Sequence, residues 1–335
     1  MNKTLQKCIA LLLVAVLLLL NTSCGGGMPS TFDDGATRFG EGKENESYLP
    51  SNSGALLSQL IDQFSGSLEP PFSQQMDDTA FDRALEDAKH DKQFSSKIPV
   101  VTNEAELRQV FLTAYVATAT RVRFRVANGY APSLTGDMLN DIYRDLQRQD
   151  PIGVSSVKSW SHGRRINEYI VDIAYDISVA ELKRIKKETP ALVKGAIAEM
   201  NVSSTDHYTI ICAVNEYLCD TVVYPSSEPY PPMTHTPYGA FNGDAVCEGY
   251  ATAAKLMLGE LGIDCDIQNG VCHNGGGHAW NLVKLNGQWY QMDVTWNDGG
   301  GRRTDYLLVT DAYMKKSRSW DESDYPKSAI TAYKP

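Results

Sequence analysis

The sequence has little positive charge relative to its negative charge. Its 335 residues include 31 lysines and arginines against 41 aspartates and glutamates, a formal net charge of −10. Proteins that wrap nucleic acid usually present a basic face, so this composition argues against a nucleic-acid partner. Three arginines, Arg121, Arg123 and Arg125, alternate along one predicted strand. We interpret them as a solvated strand face rather than as a binding stripe.

The N-terminus also lacks an apolar run of membrane-spanning length. The run from Ile9 to Leu20 is shorter than the about 20 residues that a transmembrane helix needs, and with Lys3 and Lys7 before it, it is typical of a signal peptide. The next segment, TSCGGG, resembles the bacterial lipoprotein signal, in which the cysteine is lipidated. That resemblance implies a signal peptide over residues 1–24, a lipid on Cys24 and an extracytoplasmic, membrane-anchored protein. Secretion without a lipid and an uncleaved anchor stay open as alternatives.

No two cysteines have the C-x2-C spacing that is typical of zinc sites, and we expect no metal and no cofactor. Of the seven cysteines, two fall in the predicted signal peptide. Five remain, an odd number that indicates at least one free thiol in an exported protein. Apart from Cys247 they form two close pairs, which the sequence leaves either unpaired or disulfide-bonded: Cys212 with Cys219, and Cys265 with Cys272.

No internal repeat is evident, and composition divides the rest of the chain into three parts. Residues 25–98 are rich in Gly, Ser, Asp, Asn and Pro, cannot offset their ordering entropy by burial, and are predicted to form a flexible tether with short helices at most. Residues 99–202 mix helical and period-two patterns, with a helix interrupted near Pro190, and predict a small α/β domain of unknown role. Residues 203–335 are predicted to form a second domain that carries the chemistry.

The first candidate functional residue is Cys247, in the stretch GDAVCEGYATAAKLMLGELG. Asp244 is a plausible N-cap, and apolar residues at helical spacing then continue to Gly262. The sulfur is therefore expected at a helix N-terminus, where unpaired N–H groups and the helix dipole lower a thiol pKa. Gly243 and Gly249 are expected to leave room for a substrate backbone near the sulfur.

A base and its orienting carboxylate are predicted on a hairpin that follows. His278 begins the strand HAWNLVKL, and Asn286-Gly287 predicts a two-residue type I′ turn into QWYQMDVTW. In that register His278 and Asp293 lie on one face of adjacent strands, as diagonal neighbours. A carboxylate there can fix the imidazole tautomer, so that the other ring nitrogen faces the sulfur. His273 is the competing base, but it falls in the glycine-rich loop before the strand.

Three blocks of this region, VCEGYA, GHAWNLV and GQWYQMDVTWND, resemble the motif blocks of the transglutaminase-like superfamily, a papain-related fold. The resemblance covers residues 203–300 and implies an α+β domain with the nucleophile at a helix N-terminus and His and Asp on an antiparallel hairpin. It also implies Cys247 as nucleophile, His278 as base, Asp293 as orienter and the N–H of Cys247 as one oxyanion donor. Tyr224 and Trp280 stay open as candidates for the second donor.

The resemblance implies a cysteine enzyme that acts on protein or peptide amide bonds through a thioester, and the predicted signal peptide implies that it is exported. We expect hydrolysis rather than cross-linking, because the loop before His278 is glycine-rich and open to water. The expected partners are a protein or peptide substrate, including cell-wall peptide, and the membrane through the lipid. The alternative is a non-catalytic cell-surface binding module with the same fold. Thiol reactivity near neutral pH distinguishes the two.

Overall fold

A computed structural model describes residues 72–90, 98–127, 129–226, 228–299 and 303–334. The predicted signal peptide, Cys24 and residues 25–71 lie outside these ranges. Within them, no helix combines the length and the apolar character needed to cross a bilayer.

The first sheet has the strand order β1-β4-β5-β3-β2. Its outer pairs, β1 with β4 and β2 with β3, are parallel, and the inner pairs are antiparallel. In chain order the elements are β1 (Phe72–Gln75), α1 (Asp78–His90), β2 (Val100–Val101), α2 (Glu104–Val116), β3 (Arg121–Val126), α3 (Gly136–Gln149), β4 (Val157–Arg165) and β5 (Glu168–Tyr175).

The segment 72–90 was assigned by composition to the tether, but the structure places it in the first sheet. Strand β1 hydrogen-bonds to the edge of β4, and α1 buries Phe81 and Ala84 against Ile170 of β5. The segment's own composition offers too little apolar surface to offset the entropy lost on ordering. The backbone pairing with β4 and this small apolar contact together offset it.

The arginine stripe on β3 lies directly opposite acidic residues of β5. Arg121 pairs with Asp172 at 2.5 Å, and Arg125 pairs with Glu168 at 3.3 Å. Arg123 also contacts Glu168. Cross-strand pairs of opposite charge stabilise a sheet face, so the stripe is largely neutralised by its own sheet.

A second sheet follows, with the order β10-β6-β7-β8-β9 and antiparallel pairing throughout. The elements between and around its strands are α4 (Val179–Met200), α5 (His207–Thr221), a 3-10 turn (Pro232–His235), α6 (Pro237–Phe241), α7 (Cys247–Glu260), β6 (Cys265–Cys272), β7 (Gly277–Leu285), β8 (Gln288–Met292), α8 (Val294–Asp298), β9 (Leu307–Val309), α9 (Asp311–Met314) and β10 (Arg318–Ser319).

Helix α4 joins the two halves and continues without a break through Pro190. A proline inside a helix removes one backbone hydrogen bond, and the sequence therefore favoured an interruption. Beyond the proline, however, Val193 and Ala196 are buried in the core of the second half. Tertiary packing of this kind outweighs a local helix-breaking preference.

Candidate active site

Cys247 is the first residue of α7, as the sequence predicted, but Asp244 is not its cap. The N-cap position is Val246, which makes no side-chain capping bond. The preceding segment is instead held by backbone bonds, from Ala245 N–H to the carbonyl of Val223 and from Val246 N–H to that of Thr234. The helix start is therefore fixed by the loops packed around it and not by a capping side chain.

Gly249 also has a different role from the one expected. A Cβ atom at this position would lie 2.6 Å from the carbonyl oxygen of Thr234 and 3.0 Å from that of Thr236. Such contacts are far too short, so glycine is needed to let the 3-10 turn pack against α7. The missing side chain makes room for the protein's own backbone.

The Cys247 sulfur lies against strand β7, next to the predicted base. Cys247 is fully buried and packs with Ala279, Ile267 and Ala251. The backbone N–H of Ala279, the residue after His278, donates a hydrogen bond to the sulfur. The fold thus brings the thiol to the chain segment that carries the histidine.

His278 and Asp293 are in direct contact. The two residues after β7 and before β8, Asn286 and Gly287, have φ values of 52° and 79°, and Leu285 pairs with Gln288 as predicted. This register brings His278 Nε2 to 2.7 Å from Asp293 Oδ2. Asp293 itself lies one residue beyond the end of β8.

Asp293 has a second structural role that its position explains. It is the N-cap of α8, and its Oδ1 accepts a hydrogen bond from the backbone N–H of Trp296 at 3.1 Å. One oxygen of the carboxylate therefore caps a helix while the other holds the imidazole, which fixes the orientation of both groups.

The other imidazole nitrogen is left without a partner. His278 is fully buried, and its Nδ1 makes no hydrogen bond within the described part of the chain. Buried polar atoms are nearly always paired, so an unpaired ring nitrogen is a candidate for proton exchange. With Nε2 held by Asp293, Nδ1 is the nitrogen available to exchange a proton with a neighbouring group.

Sequence reasoning missed a further charged group of the site, Arg318 on β10. Its side chain is fully buried and hydrogen-bonds through Nη1 to Asp293 Oδ2, the same oxygen that contacts His278. Its guanidinium lies 3.7 Å from the ring centre of Trp296 and 5.0 Å from that of Trp280. Stacking on aromatic rings is the usual way to hold a desolvated guanidinium.

These contacts set the resting charges of the site. Burial raises the pKa of Cys247 to about 12, and the Ala279 amide only partly opposes this rise. Burial also lowers the pKa of His278, against the attraction of Asp293 and with the help of Arg318. Burial would raise the pKa of Asp293, but the charges of His278 and Arg318 outweigh it and bring the pKa to about 2.

The resting pair is therefore a neutral thiol beside a neutral imidazole, with Asp293 ionised. The sequence predicted a thiol pKa lowered by the helix N-terminus, and the structure differs because burial outweighs the dipole. A helix start is a local feature, whereas desolvation depends on everything packed around the sulfur.

The remaining candidates contribute less. Trp280 donates its indole N–H to Gln291 Oε1 at 2.5 Å, which removes it as a second oxyanion donor. Tyr224 is buried edge-on against Tyr230, with ring centres 5.8 Å apart. His273 lies exposed in the turn after β6.

All five cysteines in the described ranges are free thiols. The same ranges contain no group of three His, Cys, Asp or Glu side chains arranged to hold a metal ion.

A family model matches part of the chain. Residues 195–294, which include Cys247, His278 and Asp293, match the family model of the transglutaminase-like superfamily. No curated protein matches the chain.

Two solved structures are similar at low identity. One, from Cytophaga hutchinsonii and described as a proposed cysteine protease, is 18% identical over 32% of this chain and 37% of its own, with a TM-score of 0.27. The other, described as a TGase, is 12% identical over 69% of this chain and 59% of its own, with a TM-score of 0.29. The chain thus spans less than two thirds of either, and such TM-scores add nothing about its fold.

Proposed function

We propose that this chain, whose residues 195–294 match the family model of the transglutaminase-like superfamily, is a cysteine enzyme that cleaves amide bonds of proteins or peptides. The observation that supports this most directly is the state of His278. Asp293 holds its Nε2 at 2.7 Å, while its Nδ1 is buried without a partner beside the segment that contacts the Cys247 sulfur. A nucleophile, a base and an orienting carboxylate need this arrangement.

The reaction would run through an acyl-enzyme. His278 Nδ1 takes the thiol proton as the Cys247 sulfur attacks the carbonyl carbon, and the carbonyl oxygen becomes an oxyanion. His278 then gives the proton to the leaving amine, the C–N bond breaks, and a thioester remains. Water attacks the thioester with His278 again as base, and the returning proton restores the thiol as the acid leaves.

Two features of the fold stabilise charge along this path. The N–H of Cys247 lies in the first turn of α7 and has no acceptor within the helix, so it can serve as one oxyanion donor. The carboxylate of Asp293 stabilises the imidazolium that forms when His278 accepts the proton.

The packing of Trp280 and Trp296 favours hydrolysis over cross-linking. A transferase has to keep water away from the thioester, for which an aromatic-walled tunnel is suited. Trp280 and Trp296 instead pack around the Arg318 guanidinium. The loop before His278 is exposed at Asn274 and Gly275, which supports access for water.

One observation favours the alternative, a non-catalytic binding module with this fold. Cys247 is fully buried and its pKa is about 12, as in many structural cysteines. The experiment that decides is alkylation of Cys247 by iodoacetamide at pH 7, followed by mass spectrometry, in the wild type and in His278→Ala. A base-assisted thiol reacts much more slowly without His278, whereas an inert buried thiol reacts slowly in both. The half-buried thiol of Cys212 serves as an internal standard.

The reaction type has its own test. Casein is incubated with the protein, with and without a fluorescent primary amine, and new N-termini and incorporated amine are both measured. New N-termini in excess of incorporated amine, both absent from Cys247→Ala, support the hydrolase. Amine incorporation that outruns hydrolysis at modest amine concentration contradicts it.

We further propose that the protein is exported and tethered to a membrane by a lipid on Cys24. The support is the sequence alone: Lys3 and Lys7, the apolar run that follows them, and TSCGGG. A tether would place the enzyme at the cell surface, where protein substrates or cell-wall peptides are within reach.

A further inference from the structure

Helix α3 lies outside residues 195–294, which match the family model. It nevertheless contacts Glu248, the residue after Cys247, and Asn269 of β6. Its apolar side, with Leu139, Ile142 and Leu146, packs into the core of the first sheet. Its polar side faces the second sheet, where Arg148 Nε donates to Asp266 Oδ2 of β6 at 3.0 Å. The helix therefore spans from one core to the other.

The main contact of this second side is Glu248, the residue after Cys247. Only 2% of Glu248 is exposed. Its Oε1 accepts hydrogen bonds from the hydroxyl of Tyr143 at 2.8 Å and from Nε2 of Gln147 at 3.1 Å. On the other oxygen, Oε2, His235 Nδ1 lies 3.6 Å away. A buried carboxylate requires such partners, and two of the three come from α3.

Gln147 also reaches the strand layer that carries the base. Its amide oxygen accepts a hydrogen bond from Asn269 Nδ2 of β6 at 2.6 Å. Asn269 is paired in register with Ala279 of β7, whose N–H donates to the Cys247 sulfur. A single buried amide thus links the start of α7 to the strands beside His278.

We propose that Gln147 and Tyr143 are positioning residues that fix the thiol-bearing end of α7 against the base-bearing strands. This inference rests on the proposed function and deepens it. It gives the first sheet and its helices a role, because they hold α3 in place. Helix α3 in turn fixes the start of α7 relative to the strands beside His278.

The chemistry explains why such a frame matters. Proton transfer from a buried thiol to a neutral imidazole requires close and well-aligned atoms, and an error of about 1 Å can reduce a rate on the order of 100-fold. No side-chain cap fixes the start of α7, so its position depends on contacts such as these. Burial and the charge of Glu248 hold the pKa of Tyr143 well above its usual range, so its hydroxyl stays a donor at all physiological pH values.

The test replaces Gln147 by methionine, which has a similar length but no amide. The matched control is Gln149→Met, on the exposed end of the same helix. The readout is the rate of Cys247 alkylation by iodoacetamide between pH 5 and pH 9 (a range chosen around the ordinary histidine pKa), measured well below the unfolding temperature. We expect Gln147→Met to react roughly tenfold more slowly or worse, with a pH profile flattened toward that of His278→Ala. Gln149→Met should match the wild type.

Tyr143→Phe is the milder second variant, which removes one hydroxyl and keeps the ring. It should shift the profile in the same direction by a smaller factor, and it decides the matter if Gln147→Met does not fold. With a casein substrate, both variants should lower kcat with little change in KM, because substrate contacts are untouched.

The inference is overturned if Gln147→Met and Tyr143→Phe lose thermal stability but keep the wild-type alkylation profile, since α3 would then be only a structural support. Failure of the proposed function is recognised separately. It shows as equal alkylation rates in the wild type and His278→Ala, before any α3 variant is examined.

Discussion

The contact between Asp293 and Arg318 predicts a large and specific loss of stability when the carboxylate is removed. Both side chains are fully buried, and the guanidinium hydrogen-bonds to the Asp293 oxygen that also contacts His278. Asp293→Ala leaves the arginine charge inside the protein without its counter-charge. It also removes the cap of α8, where Trp296 N–H donates to Asp293 Oδ1.

The expected loss follows from these two contacts. Leaving one partner of a buried ion pair alone costs about 3–5 kcal/mol, and losing an aspartate N-cap costs about 1 kcal/mol. We therefore expect Asp293→Ala to lower the free energy of unfolding by roughly 4 kcal/mol or more. Since a domain is stabilised by only about 5–15 kcal/mol in total, this loss removes a large share of the protein's stability.

A double variant separates the orphaned charge from the other effects. Arg318→Met replaces the guanidinium by an apolar side chain that suits the rings of Trp296 and Trp280. The double variant Asp293→Ala/Arg318→Met should be more stable than Asp293→Ala alone by about 2 kcal/mol, within the range of coupling energies measured for contacting residues. A second deletion that restores stability is expected only where the first left a buried charge unpaired.

The assay is urea unfolding followed by far-UV circular dichroism, with the slope of each transition checked for constancy. Asp264→Ala is the matched control, because Asp264 pairs with Lys284 at 3.2 Å but is 66% exposed. Exposed pairs contribute about 1 kcal/mol or less. Two outcomes would refute a stabilising buried ion pair between Asp293 and Arg318. In the first, Asp293→Ala is no more destabilising than Asp264→Ala. In the second, the double variant is less stable than Asp293→Ala.

His278→Ala should reduce kcat on casein more than Asp293→Asn, roughly 10⁶-fold against roughly 10⁴-fold, and equal losses would contradict the assigned roles. The free energy of unfolding should fall as pH drops below 6.5, because the histidine is protonated in the unfolded state before it is in the folded one, and again below 3.8, because unfolded aspartate is protonated before Asp293. Urea midpoints of the wild type and of His278→Ala, measured across this pH range, test the first step. An unchanged pH dependence in the variant would rule out His278 as its source. Cys24→Ser should abolish incorporation of radiolabelled palmitate, and label that persists in this variant would exclude Cys24 as the anchor.

Much of the site's geometry could be predicted because it depends on local signals. Asn286-Gly287 specifies the turn, the turn specifies the register of β7 and β8, and the register brings His278 and Asp293 together. Each step involves residues close in sequence. The same holds for Cys247, whose helix is marked by its apolar spacing and by the glycine that follows it.

What could not be predicted depends on contacts between distant residues. Arg318 follows Asp293 by 25 residues, and Gln147 precedes Glu248 by 101, so no short pattern marks either of them. Strand β4 carries no clear period-two pattern in the sequence, because Gly163 and a bulge near Val157 break its alternation. The tether assignment of residues 72–90 failed for a related reason, since composition says nothing about an open strand edge elsewhere in the chain.

The pKa of the Cys247 thiol depends both on its local position and on contacts with distant residues. Position at the start of α7 favours the thiolate, but full burial raises the pKa of Cys247 to about 12. Arg318 also disfavours the charged pair. Its positive charge acts together with burial to lower the pKa of His278. A thiolate–imidazolium pair is therefore disfavoured in the resting site, and in the proposed mechanism the proton moves from Cys247 to His278 only as the sulfur attacks. Under this mechanism the arginine keeps the resting site neutral, and Asp293 stabilises the imidazolium when it forms.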